Sequence, residues 1–159
     1  MALTRSRPGR ALRWLLRAPI LLYRLRLGWL LGERFLLLTH IGRKTGLPRQ
    51  AVVEVVHHDT DTGRYIIAAA WGRKADWFRN IQKTPQVTMA VGCKRFDAIA
   101  SQLSIDEATE ALYRYAQSHP AAFRALSKTL FGHVTASTRE GCREMAEQIP
   151  LVALDPRPS

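Results

Sequence analysis

Phe35-Leu36-Leu37-Leu38-Thr39-His40-Ile41 leads into Gly42-Arg43-Lys44-Thr45-Gly46-Leu47-Pro48-Arg49, and that segment leads into Ala51-Val52-Val53-Glu54-Val55-Val56-His57-His58. The first stretch is an almost unbroken apolar run of strand length, the pattern of a strand buried on both faces. Gly42, Gly46 and Pro48 punctuate the second, which reads as a turn. The third is rich in valine, whose branched β-carbon suits a pleated sheet. Strand, turn, strand is therefore the expectation, and the rest of the chain is read outward from it.

Residues 59–63 supply a turn of Asp, Thr and Gly. Residues 65–70 read as a strand ending in the three alanines Ala68, Ala69 and Ala70. Residues 76–83 predict a short helix capped by Asp76 and stopped before Pro85. Residues 86–91 alternate, placing Val87, Met89 and Val91 on one face. Gly92-Cys93 is a hairpin signal, and 94–102 is the return strand. Ser104-Ile105-Asp106-Glu107 is a capping box for a helix reaching about residue 118, Pro120 suits the first turn of another, and Ser137-Thr138-Arg139-Glu140 reads as a second box for a helix to about residue 148. The apolar run at 150–154 predicts a closing strand. Strands joined by short turns, with helices appended, indicate an α+β fold, and about six antiparallel strands commonly close into a small barrel.

Upstream, residues 1–32 are rich in Arg and Leu and contain no acidic residue. On a helix Arg10, Arg13, Arg17 and Arg24 form one stripe, with Pro19 set to kink or divide it. The reading is a basic amphipathic segment over 1–32 and a barrel domain with its helices over 33–155. The stripe suits either an interfacial helix on an anionic membrane, where each nearby cation contributes about 1 kcal/mol, or a helix packed on the barrel with its arginines in water. The same arginines interrupt the apolar run that a signal peptide or a spanning helix requires.

Hydrophobic residues at 47% and charged residues at 23% exclude a disordered chain. A net charge of +11 points to an anionic partner, which could be nucleic acid, lipid headgroups or a phosphorylated cofactor. Cys93 and Cys142 stand alone, which suits a reducing, cytoplasmic compartment and excludes a disulfide framework. No cluster has metal-ligand spacing, so no metal is expected, and no nucleophile–base motif stands out. His57 and His58 are adjacent on a strand and would point to opposite faces. The other lone histidines and serines read as surface or capping residues.

Two segments carry chemistry. The turn at 42–49 holds Arg43, Lys44 and Arg49 within one loop, and its two glycines allow a tight bend with exposed N–H groups. Arg can grip a phosphate or carboxylate with two bonds, and Lys adds a point charge. The loop alone does not choose between an anion site and a solvated basic hairpin. It is not a phosphate-binding P-loop, because Lys44-Thr45 precedes Gly46. The other segment is Ala68-Ala69-Ala70-Trp71-Gly72, followed by Asp76-Trp77-Phe78-Arg79-Asn80. Small residues admit a flat ligand close to the backbone, and Trp77 at a helix start offers a ring beside an anion-favouring terminus. Phe78 reads as core and Trp77 as facing the ligand.

Leu37-Leu38-Thr39-His40-Ile41-Gly42-Arg43-Lys44-Thr45-Gly46-Leu47-Pro48-Arg49, Tyr65-Ile66-Ile67-Ala68-Ala69-Ala70-Trp71-Gly72, Asp76-Trp77-Phe78-Arg79-Asn80-Ile81 and Pro85-Gln86-Val87-Thr88 together resemble the deazaflavin (coenzyme F420)-dependent nitroreductase family, in order and spacing, over about residues 35–100. The resemblance implies a split β-barrel of the flavin-binding type with F420 as hydride donor to a quinone, nitroaromatic or activated alkene. It places Arg43, Lys44, Thr45 and Arg49 at the cofactor's phosphate and glutamate tail, the backbone of Ala69, Ala70, Trp71 and Gly72 at the phosphate and ring, and Trp77 and Asn80 at the ring pocket. Many members carry a small polar residue where this chain has Ala70, and a longer glycine-rich loop follows it there. For the tyrosines that line the substrate side in some members, Tyr113 and Tyr115 are the candidates. Membrane contact through the arginine stripe, at the inner face of the cell membrane, would suit a quinone, and a homodimer is compatible. The rival readings are a non-enzymatic basic module for nucleic acid or a membrane surface, and a split barrel that uses FMN or haem.

Overall fold

The structure is a computed structural model, and it describes residues 34–158. Segment 1–32, with Arg10, Arg13, Arg17 and Arg24, lies outside the described residues. Six strands, β1 (Phe35–Ile41), β2 (Pro48–His58), β3 (Tyr65–Ala68), β4 (Gln86–Val91), β5 (Lys94–Gln102) and β6 (Leu151–Pro156), close into a barrel in the order β1-β2-β3-β6-β5-β4. Every pairing is antiparallel, and closure comes from β1 lying against β4. The described residues also form four α-helices: α1 (Asp76–Lys83), between β3 and β4, and α2 (Ile105–Ser118), α3 (Pro120–Phe131) and α4 (Arg139–Gln148), between β5 and β6. This is the α+β barrel read from the sequence.

Alternation along the strands sorts side chains into two cores. Leu36, Leu38, Val53, Val55, Tyr65, Ile67, Met89, Val152 and Leu154 fill the barrel, together with Trp77, Phe78 and Ile81 from α1. Ile66 and Ala68 of β3 and Leu151 of β6 face the other way, onto Leu112, Tyr115, Phe123 and Met145 of the helical layer. Because β3 is covered on both faces, its four residues are all buried. Each fully buried aliphatic side chain contributes about 1.5–3 kcal/mol, so both layers matter to stability. A bulge between Val55 and His57 leaves Val56 as an extra residue in β2 and re-aims the strand end.

Several boundaries differ from expectation for local reasons. β2 starts at Pro48, because the hairpin ladder continues to the Ile41–Pro48 pair. β3 ends at Ala68, because the Ala70 N–H turns back onto the Ala68 carbonyl at 3.1 Å and a short 3-10 turn follows at Gly72–Lys74. β6 runs on to Pro156, and Arg157 still donates to the Asp97 carbonyl at 2.8 Å. Asp76 does not cap α1: that position falls to Ala75, and Asp76 occupies the first helical turn. The capping box at Ser104 and Glu107 is present. At α4, however, the cap is Thr138, which accepts from the Gly141 N–H at 3.1 Å, one residue later than the box read at Ser137.

Candidate functional site

The β1–β2 turn is wound on itself. The Gly42 N–H donates to the Leu47 carbonyl at 2.9 Å, the Gly46 N–H to the Gly42 carbonyl at 2.8 Å, and the Leu47 N–H to Thr45 Oγ1 at 3.3 Å. Gly46 has φ +70°, a left-handed conformation that a side chain would strain. A Cβ on Gly42 would lie 2.8 Å from Thr45 Oγ1. The amides of the two glycines are thus spent inside the loop, where the sequence reading had them exposed. What the bend offers outward is side chains: Lys44, Thr45 and Arg49 are exposed.

Arg43 behaves differently. Its side chain is only 22% exposed, so it does not share the exposure of Lys44 and Arg49. Its backbone N–H and its guanidinium both donate to Asn80 Oδ1, at 3.1 and 2.9 Å. The guanidinium also reaches the Asp76 carboxylate at 3.2 Å, and the Lys83 ammonium donates to the Arg43 carbonyl at 3.0 Å. Helix α1 therefore anchors the bend. Asn80 is buried and bonded in turn to buried His40 at 3.0 Å. Burial drives the His40 imidazole down from 6.5 to about 4, with Asp76 pulling it up and Arg49 pushing it further down. His40 and the Lys83 contact were missed in the sequence, where lone histidines were read as surface residues. The signal was present: Leu36, Leu38 and His40 share the inward parity of β1.

In the second segment, Ala69 is fully buried and Ala70 half-buried, Trp71 is 48% exposed, and Gly72 opens the 3-10 turn. The Ala69 N–H donates to the Pro150 carbonyl at 3.0 Å and the Gly72 N–H to the Ala69 carbonyl at 2.8 Å. Trp77 is 7% exposed and packs edge-on to Phe78 within the barrel core. It backs the wall from inside, and Trp71 carries the more exposed indole.

The tyrosine candidates stand elsewhere. A cleft of about 710 Å³ opens between the end of β2 and the α2–α3 corner, lined by His57, His58, Tyr113, Tyr115 and His119 among others. It starts at Val55, six residues along β2 from Arg49, roughly 20 Å at about 3.3 Å per residue. Tyr115 is buried, its ring stacks on His119 at 5.6 Å, and its hydroxyl donates to Glu54 at 3.1 Å. Burial first, and Glu54 second, push its phenol up to about 12. Tyr113 is half-buried under the Arg139 guanidinium, 4.3 Å from its ring centre. Among the described residues, no group of three or more His, Cys, Asp or Glu is placed to hold a metal, and no helix is long and apolar enough to cross a membrane.

A family model described as F420H(2)-dependent quinone reductase matches residues 25–129, which include the bend, α1, α2 and most of α3. The chain belongs to this family. As an F420H2-dependent quinone reductase family member it is an oxidoreductase that depends on F420H2, in agreement with the resemblance read from the motifs. Solved structures agree on the architecture. An F420-H2 dependent reductase (FDR-A) superposes with a TM-score of 0.52 at 18% identity, covering 78% of this chain and 96% of that one. A protein solved as a domain-swapped dimer gives 0.56 at 18%, covering 91% and 99%. A pyridoxamine 5'-phosphate oxidase-related, FMN-binding protein from Nostoc punctiforme PCC 73102 gives 0.52 at 17%, covering 96% and 82%. At these identities the likeness establishes the split-barrel fold alone.

Proposed function

We propose that this quinone reductase family member holds F420H2 along the bend at 42–49 and reduces a quinone, with nitroaromatics and activated alkenes as further acceptors. The observation that carries the reading is the bend itself: Lys44, Thr45 and Arg49 are exposed on a loop that α1 fixes in place, inside the span matched by the family. A phosphate and a carboxylate tail suit that set, because two unburied cations and a hydroxyl can bind anions without the desolvation that a buried charge would demand. The backbone from Ala69 to Gly72 would line the phosphate and ring region, with the buried Trp77 packed behind it. When bound, the reduced deazaflavin supplies the hydride. The chain's own part is to hold cofactor and acceptor in register and to keep the site dry.

A homodimer and a peripheral membrane contact through Arg10, Arg13, Arg17 and Arg24 belong to the same reading. The first is supported by the relative solved as a domain-swapped dimer, the second by the charge stripe in the sequence. The test is a titration of the protein with F420, FMN and haem in parallel, followed by anaerobic mixing of the F420H2 complex with menadione. F420 should bind tightest, and the visible absorbance of the oxidised deazaflavin should return on mixing. Tighter binding of FMN or haem would refute the reading.

A further inference from the structure

Asn80 joins the barrel interior to the bend. Its Oδ1 receives both the backbone N–H and the guanidinium of Arg43, at 3.1 and 2.9 Å, and its amide nitrogen lies 3.0 Å from Nδ1 of His40. With Oδ1 occupied by two donors, the nitrogen end of the amide must face His40, so Nδ1 accepts and the ring proton sits on Nε2. Asn80 and His40 are each 4% exposed. The Asp76 carboxylate that also meets Arg43 is 84% exposed, so that ion pair is weak. The buried amide is the link whose loss matters, because its partners would be left unsatisfied. Arg49, the far cation of the bend, stands opposite His40 in the β1–β2 ladder, so both ends of the bend are tied to the same point of the barrel.

We propose that Asn80 is a positioning residue for cofactor binding: oriented by His40, it fixes Arg43 and with it the bend that presents Lys44 and Arg49, without itself touching the cofactor. The proposal rests on the reading that the bend holds F420, and it differs from the role that the resemblance implied, in which Asn80 borders the ring. Both polar ends of the amide are already engaged within the protein. A bend ordered before the ligand arrives loses less freedom on binding, so the effect falls on affinity, not on the rate of hydride transfer.

The experiment is a fluorescence titration with oxidised F420, run on the parent and on Asn80→Ala, His40→Leu, His40→Asn and the double variant Lys44→Ala/Arg49→Ala. Each is also melted without ligand, and the titrations are run where all are folded. At position 40, Asn carries an oxygen as many bonds from the backbone as Nδ1, so it keeps the acceptor, whereas Leu fills space without one. Asn80→Ala and His40→Leu should bind F420 about three- to tenfold more weakly, and His40→Asn should restore most of that loss. A purely structural role would instead make affinity follow the melting temperature. If Asn80→Ala does not fold, the two His40 variants decide the matter. Equal affinity in His40→Leu and His40→Asn overturns the positioning role while leaving the bend reading intact, provided the double variant binds weakly. Parent-like affinity in the double variant overturns both.

Discussion

Tyr115 and Glu54 are joined across the gap between α2 and β2: the phenol donates to Oε1 at 3.1 Å, and the same oxygen receives Arg34 at 3.5 Å. The phenolic proton is therefore committed to a carboxylate within the protein. With its affinity for that proton raised to about 12, Tyr115 stays neutral at any working pH. Tyr115→Phe should lower stability by about 1–2 kcal/mol, because Glu54 loses one of two partners. It should leave quinone reduction within about threefold of the parent. A general acid is worth about a hundredfold or more, so a loss of that size in single-turnover kinetics would place the phenol at the reacting atoms instead. Tyr113→Ala should likewise leave the acceptor's KM little changed, because its ring lines a cleft that stands apart from the bend and from residues 69–72.

The bend contains two kinds of cation, and stability measurements should separate them. Arg43→Ala removes a part-buried fork shared between Asn80 and Asp76, which should lower unfolding free energy by about 1–2 kcal/mol. Arg43→Lys should recover little, because an ammonium cannot reproduce the planar fork. Lys44→Ala and Arg49→Ala, both exposed, should stay within about 0.5 kcal/mol in the same urea titrations. Equal effects at all three positions would contradict the anchoring geometry.

Acid should probe His40 selectively. Its folded value is depressed to about 4 from 6.5, so between those limits the unfolded chain binds a proton that the folded chain refuses. Stability from this group is full above pH 6.5 and is withdrawn as pH falls toward 4, by an amount on the order of 3 kcal/mol. Carboxylates contribute to the slope only toward the lower end of that window, so pH 6.5 to 5 isolates the histidine. His40→Leu should flatten the urea-derived stability there, and an unchanged slope would mean that the imidazole titrates normally.

The barrel was legible because each strand carries its own punctuation: Gly42 and Pro48, Asp59 and Gly63, Gly92. The order of strands around it was less so, since the pairing of β3 with β6 joins Tyr65 to Leu154 across the whole helical layer, and no local pattern encodes that. At the site, the sequence marked the cations but not their fates. Lys44 and Arg43 are neighbours of similar charge, and only the arrival of α1 beneath the bend makes one a fixture and leaves the other exposed. Trp77 illustrates the converse. A helix start next to a small-residue turn suggested a ligand-facing ring, yet the amphipathic phase of α1 puts residues 77, 78 and 81 together in the barrel.

Salt offers the last discrimination, between a compact polyanionic cofactor and a nucleic acid. The Debye length shrinks from about 10 Å at 0.1 M to about 3 Å at 1 M, so contacts made by exposed cations weaken with added salt. Two such contacts, from Lys44 and Arg49, are worth about 0.2–1 kcal/mol each. The dissociation constant for F420 should therefore rise by a few-fold to tenfold between low and high KCl, and the slope should nearly vanish in Lys44→Ala/Arg49→Ala. Duplex DNA contacting many phosphates would lose affinity by orders of magnitude over a narrower range, and F420 would compete with it poorly. A full salt slope in the double variant would move the anion's contacts off the bend, to exposed cations such as Arg73 and Lys74 on the turn before α1.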